Sequence, residues 1–309
     1  MKVFIFLFLN FLLISNLLSQ QKVHFSNYIE NAFYLNPATS SPLIKQVSLL
    51  YRTQWNGFEG APNNSFISFQ SPIFFNSNTM SYSSIGGYLQ NDNIGAFDNS
   101  YLNFSYSYSF LLNERWRFSF GTFVGFQQVG LDVSNFESYH SNDPIIDVSN
   151  YNVLSPNLDL GIIVSNKNNF ISFSSKQLFQ SNWRKIVKSD LSKNINSYVF
   201  LFTKKLIFSD VSLSPNLLID FSPKFNTLII LGLDFNYNNF LNIGISTKND
   251  NSFISKLKLN ISNNLKISYA FEFPYSSYVF SLINNHELMI TYRTPILEKL
   301  KRTNLVSYF

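Results

Sequence analysis

The chain has 309 residues and a mass of 35.7 kDa, with 45% hydrophobic residues, a formal charge of +5 and a pI near 9.1. Charged residues make up 13% and aromatics 17%, about half and well above the usual shares, so the surface is poorly suited to bulk water. Zero cysteines exclude disulfides, thiol catalysis, Cys-ligated zinc and a lipidated N-terminal Cys, and the basic residues form no cluster of the kind that binds nucleic acid. Lys, Asn, Phe, Ile and Tyr all have A/T-rich codons, so the positive balance carries little functional weight.

Residues 1–19 read as a secretory signal peptide: Lys2, an apolar run through Ile14, and a cleavage site near Ser19 or Gln20. Cleavage would leave the mature chain at about +4. Beyond the leader no apolar run reaches the length of a spanning helix, so a membrane could be crossed only by strands. Residues 20–45 lack alternation but hold aromatics and aliphatics, including Tyr28, Phe33 and Leu35. This segment is expected inside a barrel or across its periplasmic mouth, as a plug.

From residue 46 the chain alternates with period two. In Asn103–Phe110 one face carries Phe104, Tyr106, Tyr108 and Phe110 and the other Asn103, Ser105, Ser107 and Ser109. Strands are predicted at 46–53, 64–72, 81–90, 100–112, 115–132, 153–165, 169–179, 196–207, 211–222, 226–237, 240–249, 252–262, 265–275 and 286–294. Connections after even strands are mostly short, such as 113–114 and 263–264, whereas those after odd strands are longer, notably 133–152 and 180–195, with the short loops near Pro223 and Asp250 as exceptions. A water-soluble sandwich has no reason to keep that parity, but an outer-membrane barrel does. The expectation is an all-β transmembrane outer-membrane barrel of about 14 antiparallel strands over 46–294, with an N-terminal plug-like segment and a tail over 295–309.

The stretch Tyr51–Pro62 stands apart from this pattern. Gly57 and Gly60 suit positive φ, Pro62 fixes the start of the returning strand, and Trp55 and Phe58 suit a headgroup-level aromatic belt. Arg52, beside Gln54 and Trp55, can lock the loop or meet an acidic partner through its planar fork. These residues are candidates for loop anchoring or partner binding. Lys256, Lys258 and Lys266 are expected to face the lumen, either to attract anions or, in the plainer account, to be balanced there by Glu272 and Glu287. With His24, His140 and His286 far apart, no metal site or cofactor is expected. A rim hydrolase could use only His286 beside Glu287, or His140 near Asp143 and Asp147, and no G-x-S-x-G surrounds a serine; a non-enzyme is expected.

His24-Phe-Ser-Asn-Tyr28, Leu35-Asn-Pro-Ala38 and the Y-R-x-Q-W-x-G-F-x-G-A-P block at 51–62 resemble the opening of the PorP/SprF family of Bacteroidetes outer-membrane proteins. His286-Glu-Leu-Met-Ile-Thr-Tyr-Arg293, with Glu287, Tyr292 and Arg293, resembles the family's closing strand. Two features depart from the pattern: Asn284–Asn285 stand where the family has Gly-Ser, and a tail follows the last strand. The resemblance implies an outer-membrane partner of type IX secretion and gliding motility. Such a protein sits in outer-membrane lipid and docks, anchors or helps export a secreted protein or adhesin by its C-terminal region, with other secretion components as further partners. The alternative is a passive or hydrophobic-solute channel, since the Asn-Pro-Ala segment is similar to the hatch of fatty-acid channels.

Overall fold

The computed structural model describes residues 23–39, 44–76, 79–132, 151–180, 194–275 and 284–295. The expected leader, the loop with His140, Asp143 and Asp147, and the tail beyond Pro295 lie outside these residues.

Period-two alternation yields a meander of long strands: β1 (Ile44–Thr53), β2 (Asn63–Asn76), β3 (Ser81–Ile94), β4 (Phe97–Leu111), β5 (Arg117–Leu131), β6 (Tyr151–Ser165) and β7 (Asn169–Lys176). It continues through β8 (Ser197–Lys204), β9 (Leu206–Phe208), β10 (Val211–Ser222), β11 (Phe225–Tyr237), β12 (Leu241–Lys248), β13 (Ser252–Asn260), β14 (Leu265–Pro274) and β15 (Asn285–Pro295). Each pairs antiparallel with its neighbours, and β1 pairs with β15, which closes the ring. Closure removes the edges that an open sheet would expose. β8 and β9 lie end to end against one side of β10, so the fifteen segments make a closed barrel of 14 strands, as the alternation predicts.

Prolines account for the irregularities. The β8 and β9 pairings stop on either side of Ser214–Pro215, where Pro215 has no N–H to give to that edge. Opposite it, the Lys205 N–H donates instead to Asn168 O in the β6–β7 turn, so the expected 196–207 strand is broken in two. At Pro72 the β2–β3 register slips by a bulge and pairing resumes at Phe74, carrying β2 to residue 76 rather than the expected 72. Pro156 sits in the part of β6 that projects beyond its pairing with β7, which begins at Leu160, so its missing N–H breaks no ladder there. One loop is corrected. The third connection, expected to be long over 91–99, is only a tight turn at 95–96, because β3 and β4 stay paired out to Ile94 and Phe97.

The two faces of the sheet are inverted relative to a water-soluble protein. Asn103 is 0% exposed and Phe104 62% exposed on the same strand. Ser48, Ser68, Ser107, Gln127, Asp159 and Ser174 are likewise buried, while Leu49, Ile67, Leu102, Phe126, Ile245 and Leu257 stand outside. Apolar side chains coat the exterior, as hydrocarbon requires, and the polar set lines the interior. Fold and exterior together point to the outer membrane.

Residues 23–38 pack against the inward faces, with a single helical turn, α1 (Ala32–Leu35). Tyr28, Ala32, Leu35 and Ala38 join Leu201, Leu218, Ile230 and Ile254 in one cluster, and Phe25 and Phe33 join Leu50, Phe66, Tyr88, Phe123 and Met289 in another. The segment thus meets both halves of the wall. At Gly121 an added Cβ would fall 2.7 Å from Ala38 N and Pro37 C, so the wall is thinned to hydrogen where Asn-Pro-Ala leans on it. Asn36 fixes that contact through its Nδ2, whose two hydrogens are shared among Ile162 O at 3.0 Å, Ser172 Oγ at 2.8 Å and Phe173 O at 2.9 Å.

Candidate functional site

Ring closure places Arg52 of β1 directly opposite Glu287 of β15 in register, and β14 brings Glu272 alongside. Arg52 is 2% exposed and Glu287 1% exposed, so neither belongs to the exposed loop that follows β1. Arg52 Nη2 donates to Glu272 Oε2 at 3.2 Å, Nε lies 3.9 Å from Glu287 Oε2, and Nη1 donates to His24 O. Glu272 also receives Lys248 Nζ at 2.6 Å and Ser26 Oγ at 2.7 Å. Glu287 accepts the backbone N–H groups of Ser26 at 2.7 Å and Asn27 at 2.9 Å. Two wall carboxylates and two wall cations therefore hold residues 24–27 against the barrel. Charges this deeply buried persist only when paired and hydrogen-bonded in this way.

A second set holds the segment farther along. Tyr28 Oη donates to Asn216 Oδ1 and lies 3.1 Å from Ser246 Oγ, with Lys256 Nζ 4.7 Å from its ring centre. Glu30 meets Lys258 Nζ at 2.5 Å. Burial works to raise the Glu30 carboxyl, but the Lys258, Lys266 and Arg293 cations outweigh it and hold the group down to about 2. Burial raises the Tyr28 and Tyr34 hydroxyls, which stay neutral donors.

The lysine balance differs from the sequence expectation. Glu272 and Glu287 do not face Lys256, Lys258 and Lys266; they are taken by Arg52 and Lys248, while Lys256 pairs with Asp234 at 3.0 Å and Lys258 with Glu30. The strand order, not the sequence spacing, sets these partners.

The rest of the 51–62 block forms the β1–β2 turn. Gln54 N–H donates to Pro62 O at 2.9 Å to close it, and Trp55, Gly57 and Gly60 hold φ of 50°, 99° and 71°. Trp55 N–H reaches Asn285 Oδ1 at 3.2 Å, and Gly95 N–H reaches Gly60 O at 3.0 Å, tying the turn to two neighbouring hairpins. Trp55 and Phe58 are exposed, Gln54 is half-buried and Pro62 is buried. On β15 the named residues divide between faces. Glu287 and Arg293 point inward, Arg293 Nε donating to Gln46 Oε1 at 2.8 Å, whereas His286 and Tyr292 point outward, with Tyr269 Oη 2.6 Å from His286 Nδ1. His286 and Glu287 cannot act as one His–carboxylate pair.

Sequence reasoning named Arg52 and Glu287 separately and did not join them. It missed Lys248, Ser26 and Asn27 as their companions; the inward parity of Glu272 and Glu287 was the available signal, but closure decides which cation each meets.

On the outer wall of β1–β6 lies an apolar groove of about 730 Å³, lined by Leu49, Ile67, Leu89, Leu102 and Leu154 among others. Among solved structures the fold is similar to a TodX deltaS2S3 mutant monoaromatic hydrocarbon channel, at TM-score 0.53 and 8% identity over 85% of this chain and 94% of that one. A Pseudomonas aeruginosa FadL homologue matches at TM-score 0.51 and 9% identity, over 86% and 94% of the two chains. The CymD monoaromatic hydrocarbon channel gives TM-score 0.51 and 9% identity, over 86% and 92%. At these identities the likeness is one of fold alone. No curated protein sequence matches the chain. Residues 17–292, from the expected leader to the closing strand, match the family described as type IX secretion system membrane protein PorP/SprF, and the chain belongs to that family.

Proposed function

We propose that this barrel is a non-enzymatic outer-membrane partner of type IX secretion that docks the C-terminal region of a secreted protein or surface adhesin and so helps its export or anchoring. Family membership is the observation that carries the reading. The β1–β2 turn is the favoured docking element, because Trp55 and Phe58 stand exposed on a backbone pinned by two neighbouring hairpins. Rigid exposed aromatics supply contact area at low entropic cost. Residues 23–38 serve in this reading as a plug that closes the lumen, supported by their bonds to Glu272, Glu287 and Asn216 on the wall. Deleting the gene should deplete surface adhesin and secreted protein, and Trp55→Ala/Phe58→Ala should reproduce the loss while the barrel still reaches the membrane. Unchanged surface levels in the deletion strain would overturn the reading.

A second reading, passage of hydrophobic solutes, draws on the 730 Å³ apolar groove. Purified protein in vesicles would then speed entry of an aromatic solute, and a sealed, inert barrel removes that reading.

A further inference from the structure

Between residues 27–30 and the inner wall of β8 to β15 lies a polar chamber of about 290 Å³, near the end that carries the 238–240 and 261–264 turns. Five cations line it, Lys205, Lys256, Lys258, Lys266 and Arg293, against two acids, Glu30 and Asp234. The acids are committed: Asp234 to Lys256 at 3.0 Å and Glu30 to Lys258 at 2.5 Å. The ammonium groups of Lys205 and Lys266 take no hydrogen-bond or salt-bridge partner among the described residues, and Arg293 bonds only the neutral Gln46. Asn27 receives Ser268 Oγ on its Oδ1 at 2.6 Å and so presents a buried amide at the edge of the chamber.

An excess of positive charge in a protein-lined, half-buried chamber favours a counter-charge, and the N–H donors that carry the excess favour an oxygen acceptor as that counter-charge. We propose that the chamber binds a small oxyanion, a carboxylate or phosphate group, with Lys205, Lys266 and Arg293 supplying the charge and the N–H donors. The remaining lining is largely asparagine and serine, such as Asn236, Asn242 and Ser212, which suits an oxygen-rich polar ligand rather than an apolar solute. The site is independent of the docking reading and of the exposed β1–β2 turn.

The test uses the full mature chain folded in detergent, titrated calorimetrically with succinate, with inorganic phosphate and with neutral succinamide. Saturable binding of succinate or phosphate, and none of succinamide, is expected. Which anion binds identifies the group. Lys205→Gln/Lys266→Gln should weaken binding by about tenfold or more, while Lys224→Gln, in the exposed β10–β11 turn, should leave it unchanged. Absence of saturable oxyanion binding at millimolar concentrations, equal binding of succinamide, or undiminished affinity in the double variant would each overturn the proposal. Should the double variant not fold, the succinate and succinamide titrations of the native chain decide alone.

Discussion

Replacing Arg52 by Gln removes the one cation within 4.0 Å of Glu287 among the described residues, without leaving a large void. Glu272 retains Lys248 at 2.6 Å, so its loss is partial. Glu287, 1% exposed, keeps its neutral partners, among them the N–H groups of Ser26 and Asn27. Breaking a buried pair from one side costs about 3–5 kcal/mol, and the surviving hydrogen bonds place this case near about 3 kcal/mol. The Arg52→Gln/Glu287→Gln double variant removes the uncompensated charge and should recover much of that, giving a coupling of more than about 1 kcal/mol. Equilibrium urea unfolding in detergent micelles measures the stability. Amide exchange over residues 24–27 should also quicken in the single variant, because Arg52 donates to His24 O. A single variant within about 1 kcal/mol of the native chain, or a double variant no more stable than the single, would refute the reasoning.

The exterior can be tested at Phe104, in the middle of β4. Phe104→Arg should cost about 2–4 kcal/mol in vesicle refolding, and Phe104→Leu well under half of that; equal costs would mean the face is not in hydrocarbon. At Gly121, Gly121→Ala puts a methyl 2.7 Å from segment backbone, which cannot swing aside, so about 1–3 kcal/mol of strain is expected. Cysteine labelling at an introduced Ala38→Cys should then speed up, and unchanged labelling would deny the contact. Glu30 supplies a pH signature. Its folded value near 2 lies below the ordinary 4.5, so its stabilisation is full above about pH 4.5 and is lost as pH falls toward 2. That amounts to at most about 3 kcal/mol, and Glu30→Gln should flatten stability across this window; an unchanged acid limb would exclude the ion pair.

The two faces of each strand were legible because alternation is a local property. Phe104 against Ser105, or Ile290 against Thr291, announces two faces from sequence alone, and low charge with abundant aromatics says that the apolar face needs a solvent other than water. The boundaries failed where local cues misled. Asp92, Asn93 and Asn99 look like loop residues, yet cross-strand pairing draws them into β3 and β4 and leaves a turn at 95–96. Pro72 looks like a strand end, yet a bulge absorbs it.

The site shows the same division. The composition of the 51–62 block marked it as unusual, and its glycines at positive φ were readable as a turn. The strand predicted over 46–53 already held Arg52, but nothing local showed that its side chain turns inward to carboxylates on β14 and β15 while Trp55 stays outside. By itself the sequence determined the meander, its two faces, its strand number and its family. Only the tertiary structure decided that Arg52 meets Glu272 and Glu287, that Lys256 meets Asp234, and that residues 23–38 lie against both halves of the wall. Arg52 and Glu272 stand 220 residues apart, and closure of β1 onto β15 is what brings them within hydrogen-bonding reach, whereas Asp234 and Lys256 meet across β12, on either side of Gly244.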